Sequence, residues 1–371
     1  MKLLCISLGC DKNLVDSEMM LGLLSKDGFT FTDDETEADV IVVNTCCFIG
    51  DAKEESVNTI LEMAEYRKAG PCKALIVTGC MAQRYKEEIT TEIPEVDAVI
   101  GTTSYDEIAK VLREVLAGQE HIQCFHDLSA LPQVEAERMV TTGGHYAFLK
   151  IAEGCDKRCT YCIIPYLRGP YRSVPMERLV AEAESLAEKG VKELILVAQE
   201  TTLYGLDLYG KKSLPQLLRR LCRVSGIQWI RIQYCYPEEI TDELIETIRE
   251  EEKICHYLDI PIQHASDRIL KRMNRRTNKA QLKEMIAKLR REIPDIALRT
   301  TLISGFPGET QEDHEELLEF VDEMEFSRLG VFAYSAEEDT PAASFPDQVP
   351  QELKEERRDE IMELQQEIAF E

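Results

Sequence analysis

The sequence predicts an α/β protein in which an N-terminal doubly wound parallel-sheet domain is followed by a partial (β/α)6 barrel. Three observations point to it. Apolar, β-branched runs alternate with amphipathic helical stretches, the pattern of parallel sheets built from βα units. That alternation has one period over residues 1–128 and a longer one from residue 145. A chain of 371 residues is also too long for one ordinary core and fits two domains.

In the first domain, residues 1–128, the strand-like runs are Leu3 to Leu8, Val40 to Val43, Ala74 to Val77 and Ala98 to Ile100, with helices expected from near Leu14, Ala52, Ala82 and Tyr105. Residues 129–144 contain Pro132 and the pair Gly143-Gly144 and read as a linker. Residues 145–345 carry six further strand candidates: Ala147 to Ala152, Leu194 to Ala198, Trp229 to Gln233, Leu258 to Ile262, Leu298 to Ile303 and Gly330 to Tyr334. Helices such as Met176 to Lys189 and Asn278 to Arg291 fill the gaps. Six such units suggest an open barrel rather than a closed eight-stranded one, with the functional site at the carboxyl ends of its strands. Residues 346–371 read as one terminal helix, from Gln351 to Phe370.

Hydrophobic residues at 44% and charged residues at 30% are the mix of a soluble globular protein. There is no run of eighteen apolar residues to span a membrane, and Met1 to Cys10 lacks the parts of a signal peptide. A cytoplasmic location is therefore expected. In that reducing compartment, thirteen cysteines favour metal binding or catalysis over a disulfide framework. The net charge of −26 repels phosphate backbones and draws basic partners, so general nucleic-acid binding is not expected. The short basic pairs, Lys211-Lys212, Arg219-Arg220, Lys271-Arg272 and Arg275-Arg276, read as solvated helix faces.

Cys155, Cys159 and Cys162 form C-x-x-x-C-x-x-C directly after the first barrel strand. Thiolates suit iron–sulfur clusters, and three so close can bind three irons of a cubane and leave the fourth open for chemistry. The competing reading is a zinc knuckle, but zinc asks for a fourth ligand nearby and the next histidine is His256. Cys10, Cys46 and Cys80 are far apart in sequence, yet each follows an apolar strand. A parallel sheet would bring all three to one edge, where ligands gather, and the helix that follows each favours thiolate. The competing reading is three buried core cysteines. Cys5, Cys47, Cys72, Cys124, Cys222, Cys235 and Cys255 match no ligand spacing and read as structural. The glycine-rich Gly305 to Gly308 lacks the lysine of a P-loop.

The C-x-x-x-C-x-x-C run resembles the defining motif of the radical S-adenosylmethionine (SAM) superfamily. The resemblance implies that the open iron chelates SAM and that the reduced cluster cleaves it to a 5'-deoxyadenosyl radical. It implies SAM contacts at Tyr161 beside the adenine, at Gln199 and Glu200 for the methionine amino group, at Arg231 and Arg299, and at Ile303 near the adenine. Arg231, Gln263, His264 and Arg299 are expected to end strands at the same mouth, where a capping role competes with a binding one.

The first domain resembles the methylthiotransferases within that superfamily. Ser7-Leu8-Gly9-Cys10 with Lys12 to Glu18, Asn44-Thr45-Cys46 with Phe48-Ile49, and Gly79-Cys80-Met81-Ala82-Gln83-Arg84-Tyr85 look like their three signatures. The resemblance implies a second, auxiliary 4Fe–4S cluster on Cys10, Cys46 and Cys80, two SAM molecules, and transfer of a methylthio group to an unactivated carbon. Lys12 to Ser17, the run Glu153 to Arg172 and Tyr334 to Glu338 resemble the RimO type, which implies the β-carbon of an aspartate in ribosomal protein S-twelve as the target. A tRNA enzyme of the MiaB type is the alternative within the family, and a two-cluster electron carrier is the alternative outside it. Asp11 stands where that type often has proline, and Asp339 where it usually has glycine. The family normally continues into a small β-barrel, TRAM, which is expected to be absent because the sequence ends at Glu371. An electron donor such as flavodoxin or ferredoxin, and a sulfur donor, complete the expected partners.

Overall fold

Val40–Thr45 and Ala74–Gly79 are buried along their whole length, which puts them at the centre of a sheet covered on both faces. The computed structural model describes residues 1–134 and 137–370; Glu135 and Ala136 of the expected linker, and Glu371 of the expected terminal helix, lie outside the described residues. The chain divides into two units, each organised around a six-stranded parallel sheet. One unit comprises Met1–Gly144, Glu153–Cys155 and Ile164–Arg172, and the other His145–Ala152, Asp156–Ile163 and Ser173–Glu371.

In the first unit the strands are β1 (Lys2–Ser7), β2 (Thr30–Phe31), β3 (Val40–Thr45), β4 (Ala74–Gly79), β5 (Ala98–Ile100) and β6 (Ile122–Cys124), in the order β2-β1-β3-β4-β5-β6. Its helices are α1 (Asp11–Lys26), α2 (Gly50–Ala69), α3 (Cys80–Arg84), α4 (Lys86–Glu92), α5 (Ile108–Leu116) and α6 (Ile164–Arg168). Leu3, Val40, Val42 and Ile76 of the sheet pack with Met20 and Leu24 of α1 and with Ile108 and Leu112 of α5 in one apolar cluster. This is the expected doubly wound sheet, with two edge strands added: β2 and β6 have two and three residues, too few to show a periodicity. The expected linker is held down where it is described. Arg138 Nε donates to Glu18 Oε2 at 2.6 Å with both side chains buried, and Met139 N donates to Glu18 O at 3.1 Å.

In the second unit β7 (Tyr146–Lys150), β10 (Glu193–Val197), β11 (Trp229–Ile232), β12 (Ile254–Asp259), β13 (Ala297–Ser304) and β14 (Arg328–Ala333) lie side by side in chain order, all parallel. The sheet is open, with β7 and β14 at its edges, so it is the partial barrel the alternation suggested. Two short strands, β8 (Ala152–Glu153) and β9 (Arg172–Ser173), stand outside both six-stranded sheets. The helices are α7 (Met176–Glu188), α8 (Leu206–Tyr209), α9 (Leu214–Cys222), α10 (Asp242–Glu250), α11 (Asp267–Arg272), α12 (Lys279–Glu292), α13 (Gln311–Met324) and the terminal α14 (Gln351–Phe370). Burial alternates strictly along β13: Leu298, Thr300, Leu302 and Ser304 are buried, while Arg299, Thr301 and Ile303 point to the half-open face. Asp339 takes a φ of 66°, a left-handed conformation that explains why glycine suits that position.

Candidate functional site

Strand register builds the first constellation. Asn44 pairs with Ser7 and Thr78, and Thr45 pairs with Gly79, so β1, β3 and β4 end at the same level. Cys46 and Cys80 each follow immediately, and Cys10 follows across the turn at Gly9. The order of the sheet reverses between β1 and β3, the switch point where open parallel sheets bind their ligands. Cys10 is the N-cap of α1 and Cys80 the first residue of α3. Glycines make room: a Cβ on Gly9, at φ 88°, would lie 2.7 Å from Cys46 Cβ and 2.9 Å from its sulfur.

The three thiols act on one another. Burial raises the Cys46 thiol, and the nearby Cys10 raises it further. Burial pushes Cys80 up to about 12 against the pull of the Arg168 guanidinium, while Cys10 and Cys46 add to the rise. Such a trio needs cationic charge to exist as thiolates. Part of it comes from Arg168, which sequence reasoning did not single out. This buried arginine donates from Nη1 to Asp16 Oδ2 at 2.7 Å and to Glu153 Oε2 at 3.2 Å, and from Nη2 to Asn13 Oδ1. Asn13 is the hub of the site: its Nδ2 donates to Leu8 O at 3.0 Å and to Thr45 O at 2.9 Å, and its Oδ1 faces the Cys80 sulfur at 3.9 Å.

The second constellation lies on the loop after β8. Cys155 is buried, and its N–H donates to Gly169 O at 3.1 Å in the first unit. In the second unit, Cys162 N donates to Cys159 O at 3.0 Å, and the loop is fastened by Thr160 N to Met273 O at 3.1 Å and Thr160 Oγ1 to Arg272 O at 2.9 Å. Cys159 Sγ lies 3.7 Å from the Tyr236 hydroxyl, whose ring is covered by the Arg275 guanidinium at 4.3 Å. Arg275 is buried, and its Nε and Nη1 have no hydrogen-bond partner among the described residues. Buried donors of that kind are what an anionic ligand beside Cys159 would satisfy.

The other expected contacts sit on the second unit in different ways. Tyr161 meets Phe306 edge-on at 6.5 Å, and Tyr161 and Ile303 both pack against the buried cluster that contains Phe306. Gln199 and Glu200 follow the end of β10, where Glu200 is wholly buried, accepts from Thr202 N at 2.8 Å, and is pushed by burial up to about 7. Arg231 and Arg299 do not end their strands as expected. Ile232 follows Arg231, whose Nε donates to Glu193 Oε1 at 2.7 Å, and Arg299 is only the third residue of β13, donating to Asp259 Oδ1 at 2.7 Å. β13 runs on to Ser304, which leaves Arg299 well short of the carboxyl edge. His264 is fully buried: Nδ1 accepts from Ser266 N at 3.0 Å, and Nε2 faces Glu309 Oε2 at 3.3 Å.

No group of three or more His, Cys, Asp or Glu side chains among the described residues could hold a single metal ion. A cubane spreads its ligands over several irons, and the thiol sets fit that donor chemistry. No helix of the described residues is long and apolar enough to cross a membrane.

Residues 2–101 match the uncharacterized protein family UPF0004, and residues 149–321 match the radical SAM superfamily. The chain is 70% identical over 371 residues to a ribosomal protein uS12 methylthiotransferase RimO of Lachnoclostridium phytofermentans, covering all of this chain and 84% of that protein. It is 52% identical to the RimO of Clostridioides difficile, covering all of this chain and 83% of that one. Among solved structures it resembles the radical SAM methyltransferase TsrM of Kitasatospora setae, with a TM-score of 0.65 and 14% identity over 92% of this chain and 74% of that one. It also resembles the cobalamin-dependent SAM radical enzyme OxsB, with a TM-score of 0.61 and 14% identity over 100% of this chain and 56% of that one. At such identities these two likenesses concern the fold.

Proposed function

Because the chain belongs to the RimO family of ribosomal protein uS12 methylthiotransferases, we propose that it inserts a methylthio group at the β-carbon of an aspartate of uS12 with two 4Fe–4S clusters and SAM. The observation that carries this reading is the meeting of Cys10, Cys46 and Cys80 at the switch point of a sheet that the C-x-x-x-C-x-x-C motif does not need. Cys155, Cys159 and Cys162 hold one cluster, and Cys10, Cys46 and Cys80 hold the other. When bound, the first supplies the electron for reductive cleavage of SAM and the second an open iron for sulfur.

The chain's own residues bind and orient. Tyr161 and Ile303 form an apolar wall with Phe306 against which an adenine can stack. Glu200, ionised when a cation approaches, receives the methionine ammonium together with Gln199. Arg275 turns its free donors to the anionic side of the site. Arg231 pairs with Glu193 and Arg299 with Asp259 within the sheet, short of its carboxyl edge, so neither is assigned a SAM contact. The protein thereby supplies proximity, the requirement for attacking a carbon with no useful acidity. A small electron carrier such as flavodoxin or ferredoxin and a separate sulfur donor serve it in the cytoplasm. The net charge of −26 favours encounter with a basic ribosomal protein over an RNA backbone.

The test is expression in a host lacking both its uS12 and its tRNA methylthiotransferases. Mass spectrometry should find methylthio-aspartate in uS12 and no methylthio-adenosine in tRNA. The converse pattern would assign the chain a tRNA substrate.

A further inference from the structure

We propose that Arg168 is a positioning residue of the auxiliary site, holding its ligand loop and keeping a buried positive charge against the sulfur of Cys80. The inference rests on the reading of Cys10, Cys46 and Cys80 as cluster ligands. Arg168 ends α6, the short helix that follows Cys162 in the chain, and the segment Ile164–Arg172 belongs to the first unit. The arginine is therefore delivered to the auxiliary site by the stretch that continues the other cysteine motif.

Three features set it apart from an ordinary buried ion pair. Its guanidinium pulls the Cys80 thiol down against the effect of burial while pairing with the carboxylates of Asp16 and Glu153. Its Nη2 shares the Asn13 Oδ1 that faces the Cys80 sulfur, so one fork fixes both the first turn of α1 and the thiol of α3. The place it occupies is prepared. A Cβ on Gly169 would lie 2.5 Å from Leu128 O, one on Gly154 would lie 2.1 Å from Pro170 O, and Arg172 Nη1 donates to the Arg168 carbonyl at 3.0 Å. Thr102 Oγ1 donates to Leu167 O at 2.8 Å, tying the helix to the residues after β5. The backbone around Arg168 is thus pinned from several sides, and the side chain has one destination.

The physical consequence is a shift in redox poise. Net charge and hydrogen bonds to sulfur set the potential of an iron–sulfur cluster. A cation in a buried site is little screened, so it favours the more negative, reduced state. Asp16 and Glu153 oppose it by pairing with Nη1 of the same guanidinium. Removing the arginine should make the auxiliary cluster harder to reduce, and neutralising Asp16 should make it easier.

The experiment uses the full chain with Cys155, Cys159 and Cys162 changed to alanine, reconstituted anaerobically so that one cluster gives the signal. Potentiometric titrations followed by electron paramagnetic resonance compare this parent with Arg168→Gln, Arg168→Lys and Asp16→Asn. The expected result is a midpoint shifted to more negative values in Arg168→Gln, a smaller shift in Arg168→Lys, and a positive shift in Asp16→Asn. Arg168→Gln with full iron and the parent's midpoint overturns the proposal. Should Arg168→Gln fail to hold iron, Asp16→Asn decides, because an unmoved midpoint there overturns it equally. Iron counts on Cys10, Cys46 and Cys80 alanine variants separate these outcomes from failure of the ligand assignment, since only the latter leaves iron bound.

Discussion

Arg357 of the terminal helix donates from Nη1 to Glu309 Oε1 at 2.9 Å, and both side chains are buried. Glu309 in turn accepts at Oε2 from Gly305 N at 2.9 Å and Phe306 N at 3.3 Å, and Phe306 is the ring that meets Tyr161. α14 therefore braces the wall assigned to the adenine from behind. Burial alone would raise the Glu309 carboxyl, but His264 and Arg357 outweigh it and hold it below its usual value.

Arg357→Met keeps the stem and removes the charge, leaving a buried carboxylate short of its partner. The expected cost is about 3–5 kcal/mol, the scale of a broken buried ion pair, read by chemical denaturation at neutral pH. A carboxyl lowered in the folded state contributes stability above its unfolded pKa and loses it as pH falls through the folded value. The variant should accordingly lose less stability than the parent on acidification from neutral pH. In activity assays the KM for SAM should rise more than kcat falls.

Glu200 carries the opposite sign. Burial pushes it up to about 7 from an ordinary 4.5, so the folded protein holds a proton that the unfolded chain releases in that interval. Stability without SAM should fall as pH rises from about 4.5 to about 7. Glu200→Gln retains an oxygen for Thr202 and removes the penalty. Above pH 7 it should be more stable than the parent by on the order of 3 kcal/mol, and the two should converge in acid. Parallel denaturation curves at pH 5 and pH 8 check this; equal differences at both would show that Glu200 does not titrate there.

Gly9 and Gly28 share a φ of 88°, but only Gly9 is crowded, with Cys46 under 3.0 Å from its virtual Cβ and nothing within 4 Å at Gly28. Alanine at either position costs backbone strain of about 1–2 kcal/mol. Gly9→Ala must also displace Cys46, so it should lose about half of the bound iron, whereas Gly28→Ala should keep all of it.

The sheets and the cysteine sets were legible because both depend on short-range signals. In a parallel sheet each strand end is also a ligand position, so an apolar run followed by Cys10, Cys46 or Cys80 displays fold and site together. What could not be read is where charged side chains go. Arg168, Arg138 and Arg275 look like solvated residues in sequence, and only tertiary packing buries them against Asp16, Glu18 and Tyr236. Arg299 was read as ending a strand although the expected run from Leu298 to Ile303 already puts it near the amino end; the ladder with β14 begins at Arg299 itself and runs to Ser304. The short β2 and β6 offer too few residues for any pattern.

The measurement closest to the centre of this account is iron and sulfide counting after anaerobic reconstitution of two triple variants. Changing Cys155, Cys159 and Cys162 to alanine should halve the bound iron and abolish reductive cleavage of SAM. Changing Cys10, Cys46 and Cys80 should also halve the iron but leave cleavage of SAM to 5'-deoxyadenosine intact. Full iron retention in the second variant would contradict the two-cluster assignment and with it the methylthio transfer proposed here.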